Sequence, residues 1–596
     1  MLSKFFNLDN IKIISKDDFN FYPQASDREA WEGLSSELKE KLVAEGERYL
    51  NYTYPFLPMT LYLEYKRSGA RPPYEDLFHQ RRTAIKSLML AECVEYKGRF
   101  IEDLINGIYC ICDETSWVVP AHNYSDLKYG KNMVELPVDD NQVIDLWSSS
   151  TAYYLSLIYL CLHNELDAVS PLICSRIENI IEKRQISLYE KHDEYFWKRD
   201  TNNWNTNCNY ASLMTGMIMI EDEQRRKRYL EKILKSVNIF INSYNNDGGC
   251  NEGPGYWSGA CGTFYKIVEI LKYISFSKID LFTEQKLINM ANFPAKMYIG
   301  NERFANFSDS RSKVKLSYSL LYNFGKAVGN HSLMALSKVA KKISPVCDDI
   351  ENVFAYDKVE KVESEVIHDR EYFYPDLQVL ILREQNENSE MFFAVKGGHN
   401  DESHNHNDIG NFMIYKNQKP VVIDVGTGQY TKDTFTPRRY TIWFTNSFHH
   451  NVPVIDGEGQ KNGREFCASE LNYENDRFTL DISKAYESDN VKVWKRVFGF
   501  NREEFKIEVA ESFELDKESD IRLTFMLPSE PKIQKDYIEL SEGVKLCFED
   551  LMAEYEEITD IDNVVKSQWD KIYKLSLITT KKKGEIKYCF DMGVIN

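Results

Sequence analysis

The chain has 596 residues, of which 43% are hydrophobic and 28% charged, and its formal net charge is −19. The length predicts at least two domains, and the composition is that of a folded globular protein rather than a disordered one. The acidic balance argues against a nucleic-acid partner and mildly against a highly sulfated substrate, because neutralising such polyanions needs clustered lysine and arginine.

The first part of the chain is predicted to be helical. Apolar residues recur at helical spacing, as at Leu34, Leu38 and Leu42. Because no strands intervene, we expect either a solenoid or a closed toroid of helix pairs, and the lack of a fixed sequence repeat disfavours the solenoid. Further helices are expected near residues 145–163, 172–190, 207–220, 224–243, 259–276, 283–292 and 333–343.

After Pro345 the pattern changes to short β-rich runs bounded by turn residues. Such strands without intervening helices indicate antiparallel sheets stacked as a sandwich. The acidic stretch 349–366 is the expected boundary, which gives domains 1–348 and 349–596. The expected strands are 377–382, 392–395, 412–415, 421–425, 491–500, 505–513, 521–527, 544–548 and 586–590.

The sequence has no apolar run that reads as a signal peptide or a membrane span. The 12 cysteines form no Cys-x-x-Cys pair, which favours free thiols. We therefore expect a cytoplasmic protein without a membrane partner, or a secreted one if the natural N-terminus differs. A homo-oligomer is compatible with the sequence.

Five of the eleven histidines stand between His399 and His450. His404 and His406 are two residues apart, so in an extended segment both side chains leave the same face. Asp424 follows a strand-like run, and imidazoles with a carboxylate from separate strands form zinc-type sites. The alternative is that Asp424 caps a turn and that the histidines are satisfied surface groups.

The chain resembles the heparinase II/III-like polysaccharide lyases in both halves. That family joins an N-terminal (α/α) toroid, an incomplete barrel of helix pairs, to a C-terminal antiparallel β-sandwich, and we expect the same fold class here. The resemblance rests on Asn-Asn-Trp-Asn (202–205), Asp-Gly-Gly-Cys-Asn-Glu-Gly-Pro-Gly-Tyr-Trp (247–257), Lys-Gly-Gly-His-Asn (396–400), Ser-His-Asn-His-Asn-Asp-Ile-Gly-Asn-Phe (403–412), Val-Ile-Asp-Val-Gly-Thr-Gly-Gln-Tyr (422–430) and His-Asn-Val (450–452).

The resemblance implies roles for single residues. His406, Asp424 and His450 match the ligands of a sandwich-domain metal, usually Zn²⁺ with Mn²⁺ or Ca²⁺ as alternatives, which would fix a loop rather than do the chemistry. His404 matches the catalytic histidine, and Tyr256 matches the catalytic tyrosine.

The family also uses an asparagine or histidine of the first asparagine-rich motif to grip the substrate carboxylate. Trp204 stands where some members have histidine, which leaves Asn203 or Asn205 for this role. Trp117 is expected either to line the cleft or to lie in the core, and Arg439 is expected either to contact an acidic sugar or to lie in a solvated loop. Further substrate contacts are expected from Trp117, His122, Trp204, Glu252, Tyr430 and Arg439.

A lyase of this kind removes the C5 proton of a uronic acid and expels the 4-O-linked sugar. A neutral asparagine amide would stabilise the charge that develops on the carboxylate. Tyr256 could serve as base and acid, provided that its phenol pKa is lowered from about 10. His404 could take the proton from the opposite ring face or support the tyrosine. We therefore predict a β-eliminating lyase of glycosaminoglycan-like polysaccharides or oligosaccharides.

Other classes of protein stay open at this point. A toroid-type glycoside hydrolase on uronic-acid oligosaccharides would need two carboxyls at one cleft, with Asp247 and Glu252 as candidates. A cupin-like enzyme also uses His-x-His, but the large helical half argues against it. A non-enzymatic carbohydrate-binding protein would show no turnover, and it would tolerate His404→Ala and Tyr256→Phe without loss of binding.

Overall fold

A computed structural model describes residues 1–138, 142–344, 349–363, 366, 368–386, 389–431, 433–434, 436–487 and 490–593. The chain forms two compact units that are not contiguous in sequence. The expected domain boundary at 348/349 borders residues 345–348, which lie outside the described residues, so this boundary stays a prediction. Unit 1 comprises Met1–Tyr244, Ser258–Ala291 and Leu316–Glu365, and unit 2 comprises Asn245–Trp257, Asn292–Lys315 and Val366–Asn596.

Several helices of unit 1 begin at a polar residue that caps the first turn, and their apolar faces are buried. At the start of α7, for example, Asp145 accepts a hydrogen bond from the Ser148 backbone, and Ser148 Oγ accepts one from the Asp145 backbone. The helices of the chain are α1 Arg28–Glu32, α2 Ser36–Glu47, α3 Met59–Tyr62, α4 Glu64–Ser68, α5 Pro72–Glu95, α6 Ile101–Cys112, α7 Leu146–Val169, α8 Pro171–Ile181, α9 Ser187–Lys191, α10 Asn203–Met219, α11 Glu223–Ser243, α12 Pro254–Trp257, α13 Thr263–Ile274, α14 Gln285–Met297, α15 Tyr318–Val328, α16 His331–Ile343, α17 Ile350–Glu360 and α18 Asn563–Lys566.

Two stretches of unit 1 differ from the expectation. The helix expected over 172–190 is interrupted by a π-helical turn, Glu182–Ile186, between α8 and α9. The acidic stretch expected to be a boundary contains α17, whose Val353 and Val359 are fully buried. Helical spacing of these apolar residues therefore outweighs the acidic composition. None of the described helices is both long and apolar enough to cross a lipid bilayer.

Unit 2 carries two large antiparallel sheets. One has the strand order β10-β9-β7-β6-β5, and the other has β13-β14-β15-β16-β21-β19-β18-β17, with β11 paired to β16 and β20 paired to β21. The strands are β1 Tyr124–Asp126 and β2 Lys131–Met133 in unit 1, then β3 Tyr298–Gly300, β4 Arg303–Phe304, β5 Glu371–Tyr374, β6 Val379–Gln385, β7 Glu390–Lys396, β8 His399–Asn400, β9 Phe412–Lys416, β10 Lys419–Val422, β11 Pro453–Ile455, β12 Gly463–Cys467, β13 Ser469–Glu474, β14 Arg477–Asp481, β15 Val491–Asn501, β16 Lys506–Leu527, β17 Lys532–Ile533, β18 Ile538–Glu539, β19 Lys545–Phe548, β20 Met552–Glu557 and β21 Tyr573–Asp591 in unit 2.

The core of unit 2 lies between these two sheets. Phe393 and Phe412 of the smaller sheet pack against Phe498 of the larger one, with ring centroids 5.1 and 5.2 Å apart. Strand β15 alternates buried and more exposed residues, as a strand with one core face should. The predicted stacking of antiparallel sheets is therefore confirmed within unit 2.

Strand ends differ from the expected runs at two places. The runs 505–513 and 521–527 belong to one continuous strand, β16, which pairs with β21 along most of its length. Strand β10 ends at Val422 rather than at Val425, and the chain then turns so that Asp424 lies beyond the strand. Asp424 therefore follows the strand, and its side chain lies in a buried cluster with His406 and His450.

Candidate active site and metal centre

The turn that carries Tyr256 belongs to unit 2, although its sequence lies among the helices. Gly253 has φ +77°, and a Cβ there would lie 2.6 Å from the Phe307 carbonyl oxygen, so only glycine fits. Pro254 then starts α12, and the Gly255 N–H donates to Ser310 Oγ at 3.0 Å. Tyr256 therefore lies in unit 2, because its turn packs on the 292–315 segment of that unit.

Tyr256, His404 and Tyr430 form one contiguous cluster. The Tyr256 and His404 rings stack with centroids 4.1 Å apart, and the Tyr256 and Tyr430 hydroxyl groups are 2.6 Å apart. His404 has φ +55°, a left-handed backbone conformation that costs a non-glycine residue about 1–3 kcal/mol and is typical of functional sites. All three side chains are partly exposed, so a ligand in solvent can reach them.

Asp309 links this cluster to the candidate metal ligands. Its carboxylate is fully buried, and Oδ2 lies 2.9 Å from His404 Nδ1 and accepts from the Tyr430 hydroxyl at 2.9 Å. Oδ1 lies 2.9 Å from His406 Nε2 and accepts from Arg439 Nη2 at 2.8 Å. Burial would raise the pKa of Asp309, but hydrogen bonds from the two histidines and the charge of Arg439 hold it well below its usual value. Asp309 is therefore a carboxylate anion at neutral pH.

The two phenols are held in their neutral form. Burial raises the pKa of Tyr256, and the hydrogen bond with Tyr430 offsets only part of that effect. The pKa of Tyr430 is raised further by burial and by the negative charge of Asp309. The lowered phenol pKa that a tyrosine base requires is thus not found in the structure. A neutral Tyr256 is suited to donating a proton rather than to accepting one.

His406, Asp424 and His450 converge in a buried cluster. All three side chains have no exposed surface, and one potential ligand atom from each lies within 4.8 Å of the others. His406 Nδ1 and His450 Nε2 are buried and have no hydrogen-bond partner among the described residues. Burial lowers the pKa of His406, whereas Asp424 raises that of His450 against the effect of burial.

Two asparagines fix the loops that carry these ligands. Asn411 Nδ2 donates to Asp424 Oδ2 at 2.6 Å, and the Asn451 N–H donates to Asn411 Oδ1 at 3.0 Å. Asn451 Nδ2 also donates to the Ile423 carbonyl, directly before Asp424. Arg496, buried in the larger sheet, donates to the carbonyl oxygens of Gly410 and Asn451. The ligand loops are therefore tied to the sheets on both sides.

The donor set fits a divalent metal ion. Two imidazole nitrogens without partners and one carboxylate are the ligands that Zn²⁺ takes in proteins. An orphaned buried polar atom is costly, and a bound cation would satisfy both imidazoles. His406, Asp424 and His450 could therefore hold a metal ion.

The two candidate asparagines of unit 1 differ sharply. Asn205 is fully buried, and its amide donates to Ser236 O and to Lys198 O at 3.1 and 3.3 Å. Its Oδ1 accepts from Asn209, so its side chain is committed to the core. Asn203 is partly exposed and makes no side-chain hydrogen bond within the described part of the chain. Of these two asparagines, Asn203 is the one whose amide makes no hydrogen bond to a described residue.

The other substrate-contact candidates of unit 1 differ in their exposure to solvent. Trp117 is 1% exposed and donates to the Ile111 carbonyl, so it is a core residue rather than a substrate contact. His122 packs against the partly exposed Trp204 ring at 4.6 Å, and its Nδ1 lies 2.8 Å from Asp145 Oδ2. His122 and Trp204 thus form one aromatic pair, whereas Trp117 is a buried residue of unit 1.

Arg439 and Glu252 lie in unit 2 next to the catalytic candidates. Arg439 is buried and donates to Asp309, Asn405 O and Thr434 O, so it does not lie in a solvated loop, and a direct sugar contact stays a prediction. Glu252 is buried with Oε2 3.8 Å from His404 Nε2. Asp247 accepts from the backbone N–H groups of Gly249, Asp376 and Leu377, so its carboxylate holds the turn at Gly249 against the 376–377 segment.

Sequence reasoning missed Asp309, Asn411 and Asn451. Both asparagines stand inside the quoted motifs, next to residues that were singled out, and could have been read as loop-fixing groups. Asp309 carries no such signal, because it is one acidic residue among 92 Asp and Glu and stands 95 residues before His404.

Comparisons with known proteins show a likeness in fold and, over part of the chain, in sequence. Residues 375–575 match the family model "Heparinase II/III-like, C-terminal". No curated protein sequence matches the chain. Among solved structures, a heparinase III shares 15% identity and a TM-score of 0.63 over 90% of this chain and 78% of its own. A heparan sulfate lyase HepC mutant from Pedobacter heparinus shares 13% identity and a TM-score of 0.60 over 86% of this chain and 75% of its own.

The Streptomyces coelicolor A3 chondroitin AC lyase, solved in complex with chondroitin sulphate, shares 9% identity and a TM-score of 0.52 over 95% of this chain and 82% of its own. The likeness extends over both the helical and the strand-rich parts, so the expected fold class of toroid and sandwich is confirmed. The expected resemblance is confirmed as well: residues 375–575 match the model of the C-terminal domain of the heparinase II/III-like family.

Proposed function

We propose that this protein is a polysaccharide or oligosaccharide lyase that cleaves uronic-acid-containing, glycosaminoglycan-like glycans by β-elimination. The observation that supports it most is the partly exposed cluster in which Tyr256 and His404 stack against each other while Asp309 accepts from His404 Nδ1. The solved relatives named for heparan sulfate and chondroitin sulphate support the class of substrate.

The hydrogen bonds suggest how the two catalytic groups divide the work. Because a carboxylate only accepts, Nδ1 of His404 carries a proton, and the lone pair of the neutral ring is on Nε2. His404 Nε2 would therefore take the C5 proton as general base. Tyr256, whose pKa burial raises, would donate its proton to the oxygen of the leaving sugar. The Tyr430 hydroxyl, 2.6 Å away, would hold the Tyr256 phenol in place.

The carboxylate of the uronic acid must also be stabilised as charge develops on it. Asn203 is our candidate for this role, because its amide is partly exposed and unused, whereas that of Asn205 is consumed in the core of unit 1. A neutral amide donor lowers the barrier without the strong ground-state binding that a cation would give.

His406, Asp424 and His450 are proposed to hold Zn²⁺. Two nitrogen donors favour Zn²⁺ over Ca²⁺, which prefers oxygen ligands. The ion would supply structural stabilisation by fixing the loop that presents His404, two residues from His406. His406 and His450 would bind through neutral nitrogens, and Asn411 would orient the Asp424 carboxylate.

The experiment is to offer hyaluronan, chondroitin, heparan and alginate fragments to the purified protein. A lyase yields a product with the ultraviolet absorbance of a conjugated uronate and no added water in its mass. His404→Ala should abolish this product, while His192→Ala, a surface histidine paired with Glu194, should not. A saturated product would indicate a hydrolase, and binding without turnover would indicate a carbohydrate-binding protein. Either result contradicts the proposal.

A further inference from the structure

Each carboxylate oxygen of Asp309 lies within hydrogen-bond distance of one histidine nitrogen and one further donor. Oδ1 is shared by one histidine nitrogen, His406 Nε2, and one further donor, Arg439 Nη2. Oδ2 is shared by His404 Nδ1 and by the Tyr430 hydroxyl. The four donor distances lie between 2.8 and 2.9 Å, and the carboxylate is fully buried. No acceptor capacity is left over, so the carboxylate has no room for a substrate or a metal ion.

A carboxylate that accepts from one nitrogen of a histidine fixes both the tautomer and the direction of the ring. For His406 this leaves Nδ1 as the nitrogen with the lone pair, and that buried nitrogen has no hydrogen-bond partner among the described residues. For His404 it leaves Nε2 as the nitrogen with the lone pair. The two rings therefore take their orientations from the two oxygens of one side chain.

The backbone around Asp309 is held rigidly enough for this role. A Cβ at Gly426 would lie 2.6 Å from the Ser310 carbonyl oxygen, and Asn306 Nδ2 donates to the Asp424 carbonyl oxygen at 3.1 Å. Ser310 also anchors the turn of Tyr256 through Gly255. The segment of Asp309 is thus fastened both to the Asp424–Gly426 segment and to the turn of Tyr256.

We infer that Asp309 is a positioning residue that sets the catalytic histidine His404 and the metal ligand His406 together, so that metal binding and proton transfer depend on the same carboxylate. The inference rests on the proposed function for the role of His404. It also assigns Arg439 and Tyr430 to the support of Asp309, since each donates to one of its oxygens.

The test is Asp309→Asn, which keeps the size of the side chain. An amide has one acceptor oxygen, and its NH₂ group would face N–H donors on the other side. We expect Zn²⁺ affinity, measured by competition with a chromophoric chelator, to fall about 10–100-fold. Turnover should fall by a similar factor with KM little changed, because Asp309 is buried and does not touch substrate. Glu114→Gln, which alters a buried carboxylate paired with Arg81 and Arg82 in unit 1, should change neither quantity.

A spectroscopic readout separates this inference from the proposed function. In protein labelled with ¹⁵N-histidine, the Nδ1–H signal of His404, identified by its loss in His404→Ala, should be slow to exchange in the wild type and lost in Asp309→Asn. That signal and the Zn²⁺ affinity do not depend on turnover, so a wild type without lyase activity would contradict the function alone.

Unchanged Zn²⁺ affinity in Asp309→Asn, or a persisting His404 Nδ1–H signal, would overturn the inference even if turnover were lost. If Asp309→Asn does not fold, Asp309→Glu is the second variant, because it keeps the charge and moves the oxygens by one methylene group. It should weaken Zn²⁺ binding and turnover together, and loss of only one of the two would again contradict the shared role.

Discussion

Replacement of Tyr256 by phenylalanine should lower turnover strongly and the free energy of unfolding only slightly. The ring would still stack on His404 at 4.1 Å, and Tyr430 would still donate to Asp309. The folded state loses only the neutral hydrogen bond between the two hydroxyl groups, which is worth about 1 kcal/mol. The reaction loses its proton donor, which typically contributes about 10²–10⁴-fold, or about 3–5 kcal/mol of barrier.

The assay follows the absorbance of unsaturated product at saturating substrate, together with urea unfolding of the same preparations. Tyr62→Phe is the matched control, since its buried hydroxyl also makes one neutral hydrogen bond, to the Val118 carbonyl in unit 1. The control should lose a similar amount of stability and keep its turnover. A Tyr256→Phe variant that keeps more than about one tenth of wild-type turnover would refute the acid role, because general acid catalysis contributes more than that.

Three further substitutions test the roles of Asn205, Asn203 and Glu269. Asn205→Ala should lower the free energy of unfolding by about 2–4 kcal/mol, because Ser236, Lys198 and Asn209 lose a partner. Asn203→Ala should leave stability unchanged and lower turnover about 10²–10³-fold. If instead Asn203→Ala lowers stability in urea melts and Asn205→Ala lowers turnover alone, Asn205 rather than Asn203 contacts the substrate carboxylate. Burial raises the pKa of Glu269 to about 7 from 4.5, so stability should fall as pH rises from about 4.5 to 7. Glu269→Gln, which can still accept a hydrogen bond from Tyr265, should remove up to about 3 kcal/mol of this pH dependence. If the urea midpoints of the wild type and of Glu269→Gln change with pH by the same amount over that range, the prediction is wrong.

Some of the site could be predicted because its residues are close in sequence or stand in specific motifs. His406, Asp424 and His450 lie within 45 residues of one another, and the structure brings them together as a buried triad. Helical spacing before the boundary and short β-rich runs after it likewise fix the order of helices and sheets, because each pattern depends only on neighbouring residues.

Tertiary structure alone decided the rest. Asp309 reaches His404 across 95 residues and joins it to His406, a meeting that no local pattern encodes. Asn203 and Asn205 look alike in sequence, yet the packing of α10 buries one and leaves the other partly exposed. The buried Arg439, the core position of Trp117 and the raised pKa of Tyr256 have the same origin. Burial and hydrogen-bond partners arise from contacts between distant segments, and these contacts exist only once the chain has folded.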